Sequence, residues 1–507
     1  MGLRDFTIYD MICRNAMLYP ERDAVVFGDR RMSHMDYKIA CDRCAAGLVD
    51  AGVQLGDRIA IVAHNSDRYL VLYGAAAKIG AVVLLVNWRF QQDEIQFVLA
   101  DCTPKLVFAG KEYQEAVAAA AQDIASIEGF YGMEGETTEG AFKSFGTLLI
   151  DKGADQYPEI DADAGYVIIH TAAVAGKPRG ALLSQANIIA ANLMAMERSG
   201  QDEQACHLCV LPLFHVAALT RSMAIMHQGG KNVIAARFDP GHALELIERE
   251  RVTTFGSFAP ILKMLLEKHA EKPVDLTSIG NISGLEDPDS VAAFLKIAPN
   301  AIFYSGFAQT EAMGVTGSNA AERPGSAGRP SILTRVLLVD DDDRPVPTGQ
   351  VGEICVRSPA VFLGYWGLEE ETAYTFRNGW HHTGDMGRFD EDGYLWYVQR
   401  KAQKELIKPG GENVYPAEVE KAILSHRAID EVCVIGVPDP QWREAIKAVC
   451  VLKSGGQASA QEVIDHVASK IARYKKPKHV VFVDSLPKLD NGEIDRANVK
   501  KIYGSGG

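Results

Sequence analysis

No apolar run in the 507-residue chain approaches the roughly 18 residues that a helix needs to cross a bilayer, which excludes an integral helical membrane protein. The opening "MGLRDFTIYDMICRNAMLYP" sets Asp5 and Asp10 among its apolar residues, so it lacks the apolar core of a secretory signal. Myristoylation after Met1-Gly2 would ask for Ser or Thr at position six, where Phe6 stands. Positive charge is scarce: 52 basic against 66 acidic residues leave a formal net charge of −14. That balance argues against coating nucleic acid and leaves room only for local basic pockets around a phosphorylated ligand. Repeats and low-complexity tracts are absent, and 47% hydrophobic with 23% charged residues is a globular composition, neither disordered nor fibrous.

Cysteine is present but not arranged for disulfides. Nine are scattered along the chain, an odd number that fits a reducing cytoplasm better than a disulfide framework. Cys41/Cys44 and Cys206/Cys209 have CxxC spacing, with His207 inside the second pair, so a metal or redox site is weighed there. Both pairs run straight into apolar helix and strand patterns, which suits small buried residues better.

A chain of this length exceeds one hydrophobic core and predicts at least two domains. "RIAIVAHNS" leads into "DRYLVLYGAAAKIGAVVLLVN", "KLVFAG" into "KEYQEAVAAAAQDIASI", and "YVIIHTAA" into "SQANIIAANLMAMERSG". Strands alternating with helices predict a parallel sheet covered on both faces. From about residue 330 to 400 short strands between turns predict an antiparallel, β-rich subdomain, with Asp340 to Asp343, Arg344 and Pro345 as a solvated hairpin tip. Residues 401–507 return to α/β alternation and are enough for a small domain.

Chemistry gathers in separated stretches. "TAAVAGKPRG" keeps Thr171, Gly176, Lys177, Pro178 and Gly180 of a loop in which small residues let backbone N–H groups approach a phosphate. After it come "LPLFHVAAL", "SGFAQTEA", "VGEICVRSPAVFLGYW", "GWHHTGDMGRFDEDGYLWYVQRK", "KELIKPGGENVYPAEVE" and "YKKPKHVVFVDSLPKLDNGEIDR". In this order the stretches resemble the AMP-forming acyl-CoA synthetases of the adenylate-forming enzyme superfamily. The resemblance covers nearly the whole chain, and the order of the motifs makes it specific.

The resemblance implies an α/β fold: a large N-terminal domain (1–400) of parallel-rich sheets with the β-rich subdomain, and a small mobile α+β C-terminal domain (401–507) hinged at Lys401 to Lys404. It implies a two-step ligase. A hydrophobic carboxylic acid and ATP give an acyl-adenylate and pyrophosphate, and CoA then displaces AMP to give the thioester. Gly306, Phe307 and Ala308 would face adenine, Thr310 a phosphate, and Glu311 would hold Mg²⁺, which favours a carboxylate beside phosphate oxygens. Asp385 would accept from the ribose hydroxyls and Arg400 would meet ribose or phosphate. His215 would border the carboxylate, unless it is simply a core histidine; Phe214, Phe258 and Gly284 would line the acyl pocket. Gly410, Gly411 and Glu412 would line the pantetheine tunnel. Lys475 and Lys476 would meet CoA phosphates or form a solvated face. A homodimer is left open.

Three departures point one way. Ala172, Ala173, Val174 and Ala175 stand where relatives carry hydroxyls and a glycine, Gln399 stands where an Asp usually precedes Arg400, and Glu493 stands where the adenylation lysine is expected. A unit charge about 4 Å away near a partly solvated site is worth roughly 4 kcal/mol of either sign. Charge reversal could therefore cost orders of magnitude in adenylation, at about 1.4 kcal/mol per tenfold, unless Lys488, Arg496 or Lys177 substitutes. An ordinary ATP-dependent ligase leads. A derived enzyme acting on acyl-CoA or acyl-adenylate as a thioesterase or acyl transferase, and a ligand-binding pseudoenzyme, stay as alternatives. Replacing Glu493→Lys is expected to raise the rate of pyrophosphate release by about tenfold or more; an unchanged rate would mean that another cation already serves.

Overall fold

The computed structural model describes residues 5–134, 140–151, 157–171, 178–400, 406–412, 414–440, 442–489 and 493–505. Residues 172–177, which include Gly176 and Lys177, and the expected hinge at Lys401 to Lys404 lie outside them.

Two large sheets dominate. In a nine-stranded sheet, Lys231–Ile234, Cys206–Cys209, Thr254–Phe258, Asn281–Leu285 and Ile302–Ser305 run parallel side by side. In an eight-stranded sheet, Leu106–Ala109, Arg58–Val62, Val82–Leu85 and Gly165–Thr171 do the same. Ile59, Ala60, Ile61 and Val62 are all buried in succession, the continuous apolar run that a strand covered on both faces requires. The next helix, Asp67–Ile79, starts where Ser66 accepts a hydrogen bond from the Tyr69 amide and stops at Gly80, whose φ of 70° suits glycine. The fold class expected from the sequence is the one observed.

Two local expectations change. The strand Gly165–Thr171 does not lead directly into a helix: it folds back through the antiparallel strand Arg179–Ser184, with Thr171 opposite Arg179, before the helix Gln185–Ser199 begins. The described strands on either side of residues 172–177 therefore pair with each other, and the helix follows only after the second of them. Nor is the Asp340 to Asp343 tip wholly solvated. Asp343 turns inward, and its two oxygens take Arg377 at 2.9 and 3.0 Å.

A four-stranded antiparallel sheet is built from Arg335–Val339, Gly352–Arg357, His381–Phe389 and Leu395–Arg400. Its last pairing sets Asp385 directly opposite Arg400. The C-terminal part has its own three-stranded sheet, Ile429–Asp439, Arg443–Leu452 and His479–Phe482, closed by a core that includes Val434, Ala448 and Val463.

The paired cysteines are packing residues. Cys41 and Cys44 are buried in the helix His34–Asp50. Burial pushes the Cys206 thiol up to about 11 and that of Cys209 up to about 12, which makes both inert. His207 Nδ1 lies 2.9 Å from Asn232 Oδ1. Neither pair joins a cluster of three metal-ligating side chains among the described residues, and no helix among them is long and apolar enough to cross a membrane.

The C-terminal part is pinned by Lys475. Its Nζ lies 2.6 Å from Glu94, on the helix Gln92–Cys102 of the N-terminal part, and 2.5 Å from Glu418. Burial works against this ammonium, but the two carboxylates prevail and hold its pKa above the ordinary lysine value. Lys475 is thus neither solvated nor free for a CoA phosphate, whereas Lys476 is exposed. Removing one partner of a buried ion pair costs about 3–5 kcal/mol. Lys475→Met should therefore speed amide exchange in the helix Pro416–Leu424 by on the order of 100-fold or more in hydrogen-exchange mass spectrometry, with the exchange of Asp67–Ile79 unchanged.

Candidate active site

A cleft of about 990 Å³ runs from the turn after Ile302–Ser305, past Asp385 and Arg400, to the apolar ends of Thr254–Phe258 and Asn281–Leu285. Parallel strands ending side by side leave such a crevice at their carboxyl ends.

At the end of the cleft that follows the strand Ile302–Ser305, Gly306 sits so close to the neighbouring backbone that a Cβ would lie 2.3 Å from the Thr316 carbonyl oxygen. Phe307 follows, buried, with its ring inclined 28° to that of Tyr397 and the centroids 6.4 Å apart. Gly306, Phe307, Ala308 and Thr310 all line the cleft. Arg400 Nε lies 3.0 Å from Asp385 Oδ1, Tyr397 donates to the same oxygen at 3.3 Å, and Gln309 Nε2 donates to Oδ2. Arg400 also donates to the Tyr415 hydroxyl at 3.1 Å. Antiparallel register explains how Arg400, fifteen residues after Asp385, reaches its carboxylate.

Glu311 borders a smaller, polar recess together with Thr171, Thr310 and His381. Thr171 donates to Glu311 Oε1 at 2.8 Å and Tyr365 to the same oxygen at 3.2 Å. Burial would raise this carboxyl, but His381, the Thr171 hydrogen bond and Arg179 outweigh it and hold it below the ordinary glutamate range. Both hydroxyl donors fall on Oε1. An ionised carboxylate facing polar space, with the other oxygen spared these donors, suits a hard cation that keeps water or phosphate oxygens as its remaining ligands.

The glycine turn closes over the cleft. Gly410 has φ of 60°, and a Cβ there would come 2.6 Å from the Trp442 ring. Gly411 completes the turn Pro409–Gly411. Glu412 Oε1 lies 2.7 Å from Arg89 Nη1 and 3.4 Å from His215 Nε2. Burial opposes its ionisation, yet His215 and Arg89 keep its pKa below the ordinary value. His215 is half-exposed at the cleft, not a core histidine, and packs on Phe214 at 4.3 Å between centroids. Phe214, Phe258 and Gly284 line the apolar end, and a Cβ at Gly284 would lie 1.7 Å from the Ser257 carbonyl oxygen.

Not every expected residue comes to the cleft. Glu493 is absent from its lining; its carbonyl accepts from the Leu489 amide at 2.8 Å. Lys488 pairs with Glu431 at 2.6 Å and Arg496 with Glu420 at 2.7 Å, both within the C-terminal part. Three residues that sequence reasoning missed do line it: Lys408, whose ammonium burial pushes below the ordinary lysine value, Arg89 and Gln309. Lys408, directly before the turn Pro409–Gly411, and Gln309, inside "SGFAQTEA", stood within the quoted motifs, whereas Arg89 carried no signal.

The comparisons with known proteins agree with this geometry. The "AMP-binding enzyme" model matches residues 13–366, and the "AMP-binding enzyme C-terminal domain" model matches residues 418–493. The chain belongs to the AMP-binding enzyme family. The chain is 33% identical to a feruloyl-CoA synthase from Amycolatopsis sp, over 97% of this chain and 98% of that one. It is 31% identical to a long-chain-fatty-acid–CoA ligase from Mycobacterium tuberculosis (strain ATCC 25618 / H37Rv), over 97% and 98%. A solved structure titled a putative long-chain-fatty-acid CoA ligase, from Rhodopseudomonas palustris CGA009, is 43% identical, with a TM-score of 0.75 over 79% of this chain and all of that one. This AMP-binding enzyme is an acyl-CoA ligase of the AMP-forming type.

Because its φ is positive and the Trp442 ring is in contact, Gly410→Ala is expected to weaken the docked turn by about 1–2 kcal/mol. Stopped-flow measurement of thioester formation should slow by about tenfold, while pyrophosphate release in a CoA-free assay keeps its rate.

Proposed function

We propose that this acyl-CoA ligase retains ATP-dependent adenylation and works on an acid whose tail enters the inner cleft. The observation that carries the reading is the continuity of one cleft. Its polar end gathers Phe307, Asp385, Arg400 and Lys408, and its other end is walled by Phe214 and Phe258.

In the first step a substrate carboxylate oxygen attacks the α-phosphorus of ATP, the bond to the bridging oxygen breaks, and pyrophosphate leaves with its electron pair. Arg400 and Lys408 place two cations where that charge builds. Asp385 accepts from the ribose hydroxyls in place of Gln309 and Tyr397. Thr171 and Thr310 would face the phosphates, with Gly176 and Lys177, outside the described residues, assigned the same role by the motif alone; Glu311 would hold Mg²⁺, which when bound would offset the charge on the phosphate oxygens. In the second step the CoA sulfur attacks the acyl carbon and AMP leaves. Gly410, Gly411 and Glu412 border the thiol's approach, and His215, held by Glu412, borders the carbonyl.

What supports two arrangements of the C-terminal domain (residues 401–507) is that the glycine turn already occupies the cleft while Glu493 does not. Rotation about Lys401 to Lys404 would exchange them. The nine free thiols fit the cytoplasm.

The test assays pyrophosphate and thioester separately for a panel of acids with ATP, Mg²⁺ and CoA. Both products are expected; turnover of an acyl-CoA with no pyrophosphate from any acid would overturn the reading in favour of a thioesterase or transferase. Removal of two charge-assisted hydrogen bonds by Asp385→Ala should weaken AMP binding by about 100-fold or more, as read by isothermal titration calorimetry.

A further inference from the structure

Arg221 stands on the helix Val216–Gln228, which His215 caps, and lines the inner cleft. It crosses Gly256 on the neighbouring strand. A Cβ there would come 2.8 Å from Arg221 Nε, so glycine is what makes room for the guanidinium. Of the five donors that an arginine carries, one is given to Ser283 Oγ and one to the Ser283 carbonyl at 3.2 Å. Nε is buried with no partner. Among the described residues no carboxylate pairs with it. Burial pushes its pKa down to about 10, which still leaves it charged at neutral pH.

Its neighbours sharpen the oddity. Val210, Ala224, Ile225 and Phe258 line the same cleft as apolar wall, and Asn281, Gln228, Thr254 and Ser283, which also line it, are neutral. Gln228 Oε1 also lacks a partner. A buried cation without a counter-charge costs several kcal/mol, and a pocket for a plain hydrocarbon tail would be better served by leucine. The charge is explained if its partner arrives with the substrate.

We propose that Arg221 determines acyl specificity by binding an oxygen acceptor, above all a second carboxylate, at the far end of the acid. The inference rests on the acyl-CoA ligase reading and narrows its substrate class to acids that are polar at both ends and apolar between. Arg221 lies six positions after His215, about 9 Å along a helix that rises 1.5 Å per residue. That span suits an aryl-propenoic acid with a para substituent or a medium-chain diacid.

The experiment compares suberic with octanoic acid and 4-carboxycinnamic with 4-methylcinnamic acid, in the wild type, Arg221→Leu and Arg221→Lys. Two readouts are taken: kcat/KM for pyrophosphate release, and thermal-shift binding of each acid without ATP. The wild type should favour the distal carboxylate by about 10- to 100-fold, as expected for a hydrogen bond to a charged group. Arg221→Leu should collapse or invert that ratio, and Arg221→Lys should keep part of it. A wild-type preference for the methyl-ended acids in both readouts, or an equal loss on both members of each pair in Arg221→Leu, overturns the assignment. If no acid releases pyrophosphate while the thermal shift still discriminates within each pair, adenylation fails and the role of Arg221 stands.

Discussion

Docking of the C-terminal part against the N-terminal sheets is the constraint on which the rest of the cleft depends. Two buried ionic contacts hold it: Glu412 with Arg89 and His215, and Lys475 with Glu94 and Glu418. Each joins a residue before position 220 to one after position 400, so the lid over the cleft is a tertiary product with no local cause. Ionic contacts suit a joint that must part and close again. Their charges are satisfied in water when separated, whereas a large apolar interface would resist opening.

The same docking bears on the proposed exchange of C-terminal arrangements between the two chemical steps. With Gly410 against Trp442 and Glu412 against His215, the glycine turn lines the cleft and Glu493 is not among its lining residues. An acid at 493 is costly only when it faces phosphates. Its exclusion here, and the presence of Arg400 and Lys408 at the same end, relieve part of the conflict that the bare sequence poses.

Much of the fold was legible because its strands bury both faces and so read as continuous apolar runs; Ile59 to Val62 is the clearest case. The return strand Arg179–Ser184 was not, because its neighbours on both sides read as one strand leading to one helix. Among site residues, Phe307, Thr310, Glu311, Asp385 and Arg400 stood in recognisable motifs; the structure brings Phe307, Thr310, Asp385 and Arg400 to one cleft and sets Glu311 in a polar recess that shares Thr310 and Arg400 with it. Lys475 stood in a basic run read either as meeting CoA phosphates or as a solvated face, and only packing could reveal the two carboxylates around it. Arg221 stood unnoticed in an amphipathic helix, where an arginine is ordinarily a surface residue.

The sequence by itself determined the family, the α/β class and the chemistry on offer, since each follows from residue types at fixed spacings along the chain. Only the tertiary structure decided which charges meet. It paired Asp385 with Arg400 by strand register, tied Lys488 and Arg496 into ion pairs outside the cleft lining, and left Arg221 in the inner cleft with no carboxylate partner among the described residues. The reason is physical: electrostatic partnership depends on distance and burial in space, and neither is encoded by separation along the chain.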